Sequence, residues 1–125
     1  MILDTNALSA VADNEPKAVE LYNNADAIAL AVIVLGEFRF GIAQSRNRTD
    51  YESWLRKLVA MTRVLDIDER TTAEYAQVRV ELKKIGRPIP SNDVWIAALC
   101  RQHSLPILSR DGHFDFVPGI QRLDW

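Results

Sequence analysis

The sequence holds one cysteine, Cys100, so a single chain can form neither an internal disulfide nor a cysteine-built zinc site. A lone thiol of this kind reads as a small buried apolar residue, and it suits a reducing cytoplasm, the expected location. Long apolar stretches are also missing. The longest, Ala27 to Leu35, is about half of the ~20 residues that a membrane helix needs, so no span is expected. Met1-Ile2-Leu3-Asp4 has no basic leader, which argues against a signal peptide. The five glycines and five prolines are scattered, and no repeat, linker or low-complexity tract divides the chain. With 125 residues and 48% hydrophobic content, one domain over residues 1–125 is expected.

A basic excess is lacking too, since the formal charge is −2. That balance looks wrong for a nucleic-acid binder until four of the 17 acidic residues are assigned to metal, whereupon the remainder carries +2. Mild acidity therefore does not exclude a phosphate-bearing partner, but it makes binding without metal improbable.

What the sequence does contain is an alternation of short apolar runs with helical patterns. A very short strand, Met1 to Leu3, runs into Asp4-Thr5-Asn6, residues that favour turns and helix starts. A helix around Lys17 to Tyr22 precedes a strand from Ile28 to Val32, and Leu35 to Gly41 opens another helix with Glu37 in its first turns. Thr49-Asp50-Tyr51-Glu52 fits a capping box, followed by an apolar face of Tyr51, Trp54, Leu55, Leu58 and Met61. Val64 to Ile67 is a third strand candidate. A long helix from Glu69 to Ile85 follows, with Tyr75, Val78, Leu82 and Ile85 inward, and Gly86 and Pro88 end it. Ser91 and Asn92 are expected to cap a helix running from Val94 to His103; Leu105 to Leu108 and Ile120 to Leu123 are the last strands. This order predicts an α/β domain whose central parallel sheet is flanked by helices on both faces.

Sites in such sheets form at strand C-termini near a reversal of strand order. Asp4 and Asp111 both follow strands, while Glu37 and Asp93 lie near the starts of helices, so four distant carboxylates are expected to converge on one rim. Asp4, Asp93 and Glu37 are set among apolar neighbours, where an unpaired charge is costly. Clustered carboxylates without compensating lysine or arginine demand cations. Oxygen donors alone favour Mg²⁺ or Mn²⁺ over zinc or copper, and two such ions about 4 Å apart can activate water against a phosphodiester.

The segments Leu3-Asp4-Thr5-Asn6, Leu35-Gly36-Glu37-Phe38-Arg39-Phe40-Gly41, Ser91-Asn92-Asp93-Val94-Trp95-Ile96-Ala97-Ala98 and Ser109-Arg110-Asp111-Gly112-His113-Phe114, with Val117-Pro118-Gly119, resemble in order the motifs of PIN-domain nucleases. They look most like the VapC toxins of bacterial toxin–antitoxin pairs. The resemblance implies a PIN-like fold and a Mg²⁺- or Mn²⁺-dependent endoribonuclease. Asp4, Glu37, Asp93 and Asp111 match the acidic quartet, Asn6 a residue that organises it, and Ser109 a hydroxyl beside the last carboxylate. It also implies a homodimer and a cognate VapB-like antitoxin. This sequence departs from the pattern between Ala31 and Val34, where many relatives carry a serine or threonine before the glutamate. Asp115 is a further acid near the fourth motif, able to assist the metal through water.

Other residues are weighed more plainly. Arg39, Arg46 and Arg48, downstream of Glu37, are candidates for RNA phosphate contact within a segment that otherwise reads as solvated helix faces. His103 and His113 are not needed when metal-bound water is the nucleophile, and His113 beside Phe114 reads as structural. One rival is a non-catalytic PIN-like module that binds RNA or protein. Another is a receiver-type phospho-acceptor domain, with Asp66 as acceptor, which leaves Glu37 unexplained and finds Arg110 where a lysine is wanted.

Overall fold

A computed structural model describes residues 1–125. Five short parallel strands form one sheet: β1 (Ile2–Leu3), β2 (Ala29–Ala31), β3 (Arg63–Leu65), β4 (Ile107–Leu108) and β5 (Arg122–Leu123), in the order β3-β2-β1-β4-β5. Six helices connect them: α1 (Thr5–Ala12), α2 (Pro16–Asn24), α3 (Val32–Ala43), α4 (Arg48–Met61), α5 (Glu69–Lys84) and α6 (Ser91–His103). A 3₁₀ helix, η1, spans Gly112–Phe116.

The strand order decides where the site lies. From β1 the chain steps outward through β2 to β3, then returns across the sheet to β4 on the other side of β1. Strand order therefore reverses between β1 and β4, at the middle of the sheet. Right-handed crossovers in opposite directions put α1 to α4 over one face and α5, α6 and η1 over the other. The core fills both interfaces. Ile2, Leu3, Leu30, Ile107 and Leu108 are fully buried on the strands, against Leu8, Val34, Leu55, Leu82, Ile96 and Leu99 from the helices. Strands buried on both faces explain why their sequences are continuous apolar runs. Cys100 lies in this core, and burial pushes its thiol up to about 12. No helix is long and apolar enough to cross a membrane.

Several local expectations are corrected. Helix α4 starts at Arg48, with Asn47 as an N-cap that makes no side-chain bond; the Thr49 capping box does not form because Glu52 pairs with Arg48 at 2.8 Å. Helix α6 starts at Ser91 behind Pro90, so Ser91 and Asn92 lie inside its first turn, and the Ser91 hydroxyl meets Tyr75 at 3.3 Å. Met61 and Ile85 are 76% and 56% exposed, because both sit at helix ends that run past the core. Helix α3 starts at Val32, directly off β2, with Ala31 as an N-cap that offers no side-chain bond. Strand β3 ends at Leu65, so Asp66 is an exposed residue beyond an edge strand. A receiver-type acceptor would follow a central one.

One cap was not foreseen. Asp68 accepts from the Thr71 backbone N–H at 3.1 Å, and the Thr71 hydroxyl accepts from the Asp68 N–H at 3.0 Å, which starts α5. The Thr71 backbone bond holds the Asp68 carboxyl below its ordinary value of 3.8. A carboxyl depressed in the folded state contributes stability that is complete above its unfolded value and lost as pH falls through its folded value. Asp68→Ala is thus expected to lower the melting temperature by a few degrees at pH 7 and by less at pH 3, as thermal melts at the two pH values would show. Equal losses at both would mean that the charge plays no part.

Candidate active site

Register places the first two site residues side by side. Leu3 pairs with Leu108 across β1 and β4, and the Asp4 backbone N–H donates to the Leu108 carbonyl at 3.0 Å. Each chain leaves the sheet one residue later, bringing Asp4 against Ser109. Asp4 is only 5% exposed, yet its carboxylate is well supplied with donors. It caps α1 by accepting from the Thr5 N–H at 2.8 Å, and accepts from the Ser109 hydroxyl at 2.6 Å and the Asn6 amide at 3.2 Å. Ser109, fully buried, accepts in turn from the Asp111 backbone N–H at 2.9 Å. Asn6 ties the two strand ends together by also accepting from the Arg110 N–H at 3.3 Å.

Asp111 is the N-cap of η1 and accepts from the His113 N–H at 2.9 Å. Asp93 sits in the first turn of α6 and Glu37 in the second turn of α3, each half-buried. Charges of neighbouring acids act on Asp4, Glu37 and Asp93 alike. Burial raises the Asp4 carboxyl and Asp111 raises it further, against the hydrogen bonds from Ser109 and Thr5. Burial also raises Glu37, followed by the charges of Asp4 and Asp93, and burial raises Asp93 against its bond to His113. The four predicted carboxylates are thus gathered from four elements at the strand-order reversal. No lysine or arginine pairs with any of them. Hard oxygen donors clustered in this way fit a divalent cation.

The PIN domain family matches residues 1–120. The chain belongs to the PIN domain family. Toxin FitB of Neisseria gonorrhoeae is 31% identical, with 96% of this chain and 94% of FitB aligned. The tRNA(fMet)-specific endonuclease VapC of Salmonella typhimurium is 29% identical, with 99% and 96% aligned. Among solved structures, the DNA-bound VapBC complex of Salmonella typhimurium contains a chain that superposes with a TM-score of 0.87 at 27% identity, covering 99% of this chain and 96% of that one. The FitAcB structure from Neisseria gonorrhoeae gives 0.83 at 29% identity, covering 98% and 95%.

Within this PIN domain other predicted residues lie apart from the cleft. Asp115 turns its carboxylate to Arg122, accepting from Nε at 2.8 Å and from a terminal nitrogen at 2.9 Å, and the guanidinium holds it below the ordinary carboxylate range. Arg122 also donates to the Ser109 carbonyl at 3.0 Å, so the pair braces the strand end from outside. Arg39, two residues past Glu37, leaves α3 about 200° round the helix from it. Arg46 is exposed in the α3–α4 turn, and exposed Arg48 pairs with Glu52. That turn lies at the end of a groove that leads from Glu37 past Thr5, Ser9 and Gly41 to Ser45 and Tyr51.

One polar neighbour of the cleft, Thr5, escaped the sequence reading, and a second, His113, reads there as structural. The Thr5 hydroxyl is buried, makes no hydrogen bond of full geometry, and lies close enough to Glu37 to favour its charged form. His113 stands between two acids, its Nδ1 3.1 Å from Asp93 and 3.1 Å from Asp111. The signal was present as a histidine two residues after the fourth acid. Its neighbour Phe114 drew attention to packing instead.

Ser109 offers a direct test of how the quartet is held. In Ser109→Ala, buried Asp4 loses a donor and the Asp111 N–H loses its acceptor, an expected cost of about 1–3 kcal/mol. Urea unfolding should register that loss, and a cost below about 0.5 kcal/mol would mean that water replaces the hydroxyl freely.

Proposed function

We propose that this PIN domain is a Mg²⁺- or Mn²⁺-dependent endoribonuclease and the toxin of a toxin–antitoxin pair. The observation that carries the reading is the convergence of Asp4, Glu37, Asp93 and Asp111 at the strand-order reversal with no lysine or arginine to neutralise them. These four hold the metal. A bound divalent ion supplies Lewis acidity, making water a nucleophile at neutral pH and offsetting charge on the phosphate. Asn6 and Ser109 fix Asp4, and Ser109 fixes the backbone that presents Asp111. Thr5 favours ionised Glu37. Because the four acids come from separate elements of a packed fold, their spacing is set before substrate arrives, which removes reorganisation from the reaction.

RNA is the substrate class that the VapC relatives' names support, and we assign phosphate contact to Arg46, next to Ser45 at the end of the groove from Glu37, and to Arg48 beyond it. Arg39 supports the same basic segment from the far side of α3. The structural neighbours from Salmonella and Neisseria are toxin–antitoxin complexes, which supports a VapB-like antitoxin as partner. Exposed Val32 and Phe40 beside Glu37 add apolar surface suited to protein contact, including a homodimer.

Attack by water rather than by the ribose 2′-oxygen fixes the products. RNA cleaved by the purified protein with Mg²⁺ or Mn²⁺ is expected to carry 5′-phosphate and 3′-hydroxyl ends when the termini are mapped. A 2′,3′-cyclic phosphate would sink the mechanism, and no cleavage in either metal would sink the function.

A further inference from the structure

We propose that His113 is a direct nitrogen ligand of the cation held by Asp93 and Asp111, and that it tilts this site toward Mn²⁺ over Mg²⁺. The inference rests on reading the cleft as a metal site, but it assigns a donor of a different kind from the four carboxylates.

The 3₁₀ geometry of η1 determines where His113 can point. With three residues per turn, residues three apart share a facet. Phe114 and Val117 form the facet packed into the core, at 0% and 2% exposure. Gly112 and Asp115 form a second, where Asp115 meets Arg122. His113 heads the third, directed at the first turn of α6, and its ring arrives with Nδ1 3.1 Å from Asp93 Oδ2 and 3.1 Å from Asp111 Oδ1.

Nδ1 is in hydrogen-bond contact with Asp93 Oδ2 at 3.1 Å and equally close to Asp111 Oδ1. A single Nδ1–H lies in the ring plane along one direction and cannot align with both oxygens at once, so the ring nitrogen is shared between two acids. The same separations suit a shared cation. Six ligands at about 2.1–2.2 Å around an octahedral ion lie roughly 3.0–3.1 Å from their nearest neighbours. Donor atoms of Asp93, Asp111 and His113 all fall within 4.8 Å of one another, as three ligands of one ion require. His103, the other histidine, faces Arg63 at 3.4 Å and has no part in the cleft.

The donor type sets the preference. Mg²⁺ favours oxygen and gives up its water reluctantly, whereas imidazole binds first-row transition ions more readily. A ring nitrogen beside two carboxylates therefore adds affinity for Mn²⁺ and little for Mg²⁺.

The test uses the full chain, stripped of metal and titrated calorimetrically with Mn²⁺ and separately with Mg²⁺. Wild type is compared with His113→Ala, His103→Ala and Asp93→Asn, and electron spin-echo spectra of the Mn²⁺-loaded proteins read nitrogen coupling. A ¹⁴N signal is expected in wild type and in His103→Ala and is expected to vanish in His113→Ala, with Mn²⁺ affinity falling at least ~10-fold and Mg²⁺ affinity changing less than about twofold. The His113 side chain is 45% exposed, so its removal is expected to leave the fold intact, as circular dichroism would verify. Mn²⁺ binding that needs Asp93 but shows no nitrogen coupling, or a signal that survives in His113→Ala, overturns the proposal while leaving the metal site standing. A wild-type protein that binds Mg²⁺ but no Mn²⁺ overturns the proposal alone, and one that binds neither ion overturns both.

Discussion

Asp4→Asn is expected to lower metal-dependent RNA cleavage by at least ~10³-fold, a loss of about 4 kcal/mol of transition-state stabilisation, while the protein stays folded. The substitution keeps shape and removes one charge from the most buried member of the quartet. Asparagine can still accept from the Thr5 N–H, so the cap on α1 survives. What disappears is Oδ2, a negative oxygen for the cation and the acceptor of the Ser109 hydroxyl and the Asn6 amide, since an amide nitrogen in its place cannot accept. The folded state raises the Asp4 carboxyl, chiefly by burial, so the ionised form is disfavoured by folding, and its penalty grows as pH rises above the ordinary carboxylate range. Neutral asparagine escapes that penalty. Against that relief stands the lost acceptor, so the metal-free variant should compare better with wild type at pH 8 than at pH 4. Cleavage within tenfold of wild type, measured on the same RNA, would remove Asp4 from the chemistry and favour a non-catalytic binding module.

Phe114→Ala is expected to cost about 3–5 kcal/mol in urea unfolding, a large share of the ~5–15 kcal/mol that keeps such a domain folded. Its ring is the largest fully buried side chain, and it anchors η1 between Asp111 and Asp115. Removing it opens a cavity beneath the segment that carries both Asp111 and His113. Activity should consequently fall more steeply than the folded fraction. Phe114→Leu, which keeps part of the volume, should retain more than half of the lost stability. A cost below about 1 kcal/mol for the alanine variant would show that η1 is not held by the core.

The site was more legible in the sequence than its supports were. Asp4, Glu37 and Asp93 stand out because an acid among apolar residues at an element's end has few structural explanations. Parallel strands announced themselves as short apolar runs, and their alternation with helical patterns fixed the fold class. The structure supplied what depends on register and on the far end of the chain. Asp115 and Asp111 look alike in sequence, and only Arg122, seven residues beyond Asp115, separates them. Helix starts at Arg48 and Ser91 were misplaced because a nearby ion pair and a preceding proline outweighed the capping residues. His113 was passed over because its role depends on the direction of a 3₁₀ facet, which spacing alone does not give.

The placement of β1 at the centre of the sheet, between β2 and β4, bears on when the cleft comes into being. Asp4 leaves β1, and the hydroxyl that steadies it belongs to Ser109, which is made 105 residues later. Until then the inner strand has an open flank and the carboxylates lack the segment that completes their ring. A chain still being made thus holds a dismantled cleft until the segment that carries Ser109 and Asp111 has been added and has paired along β1.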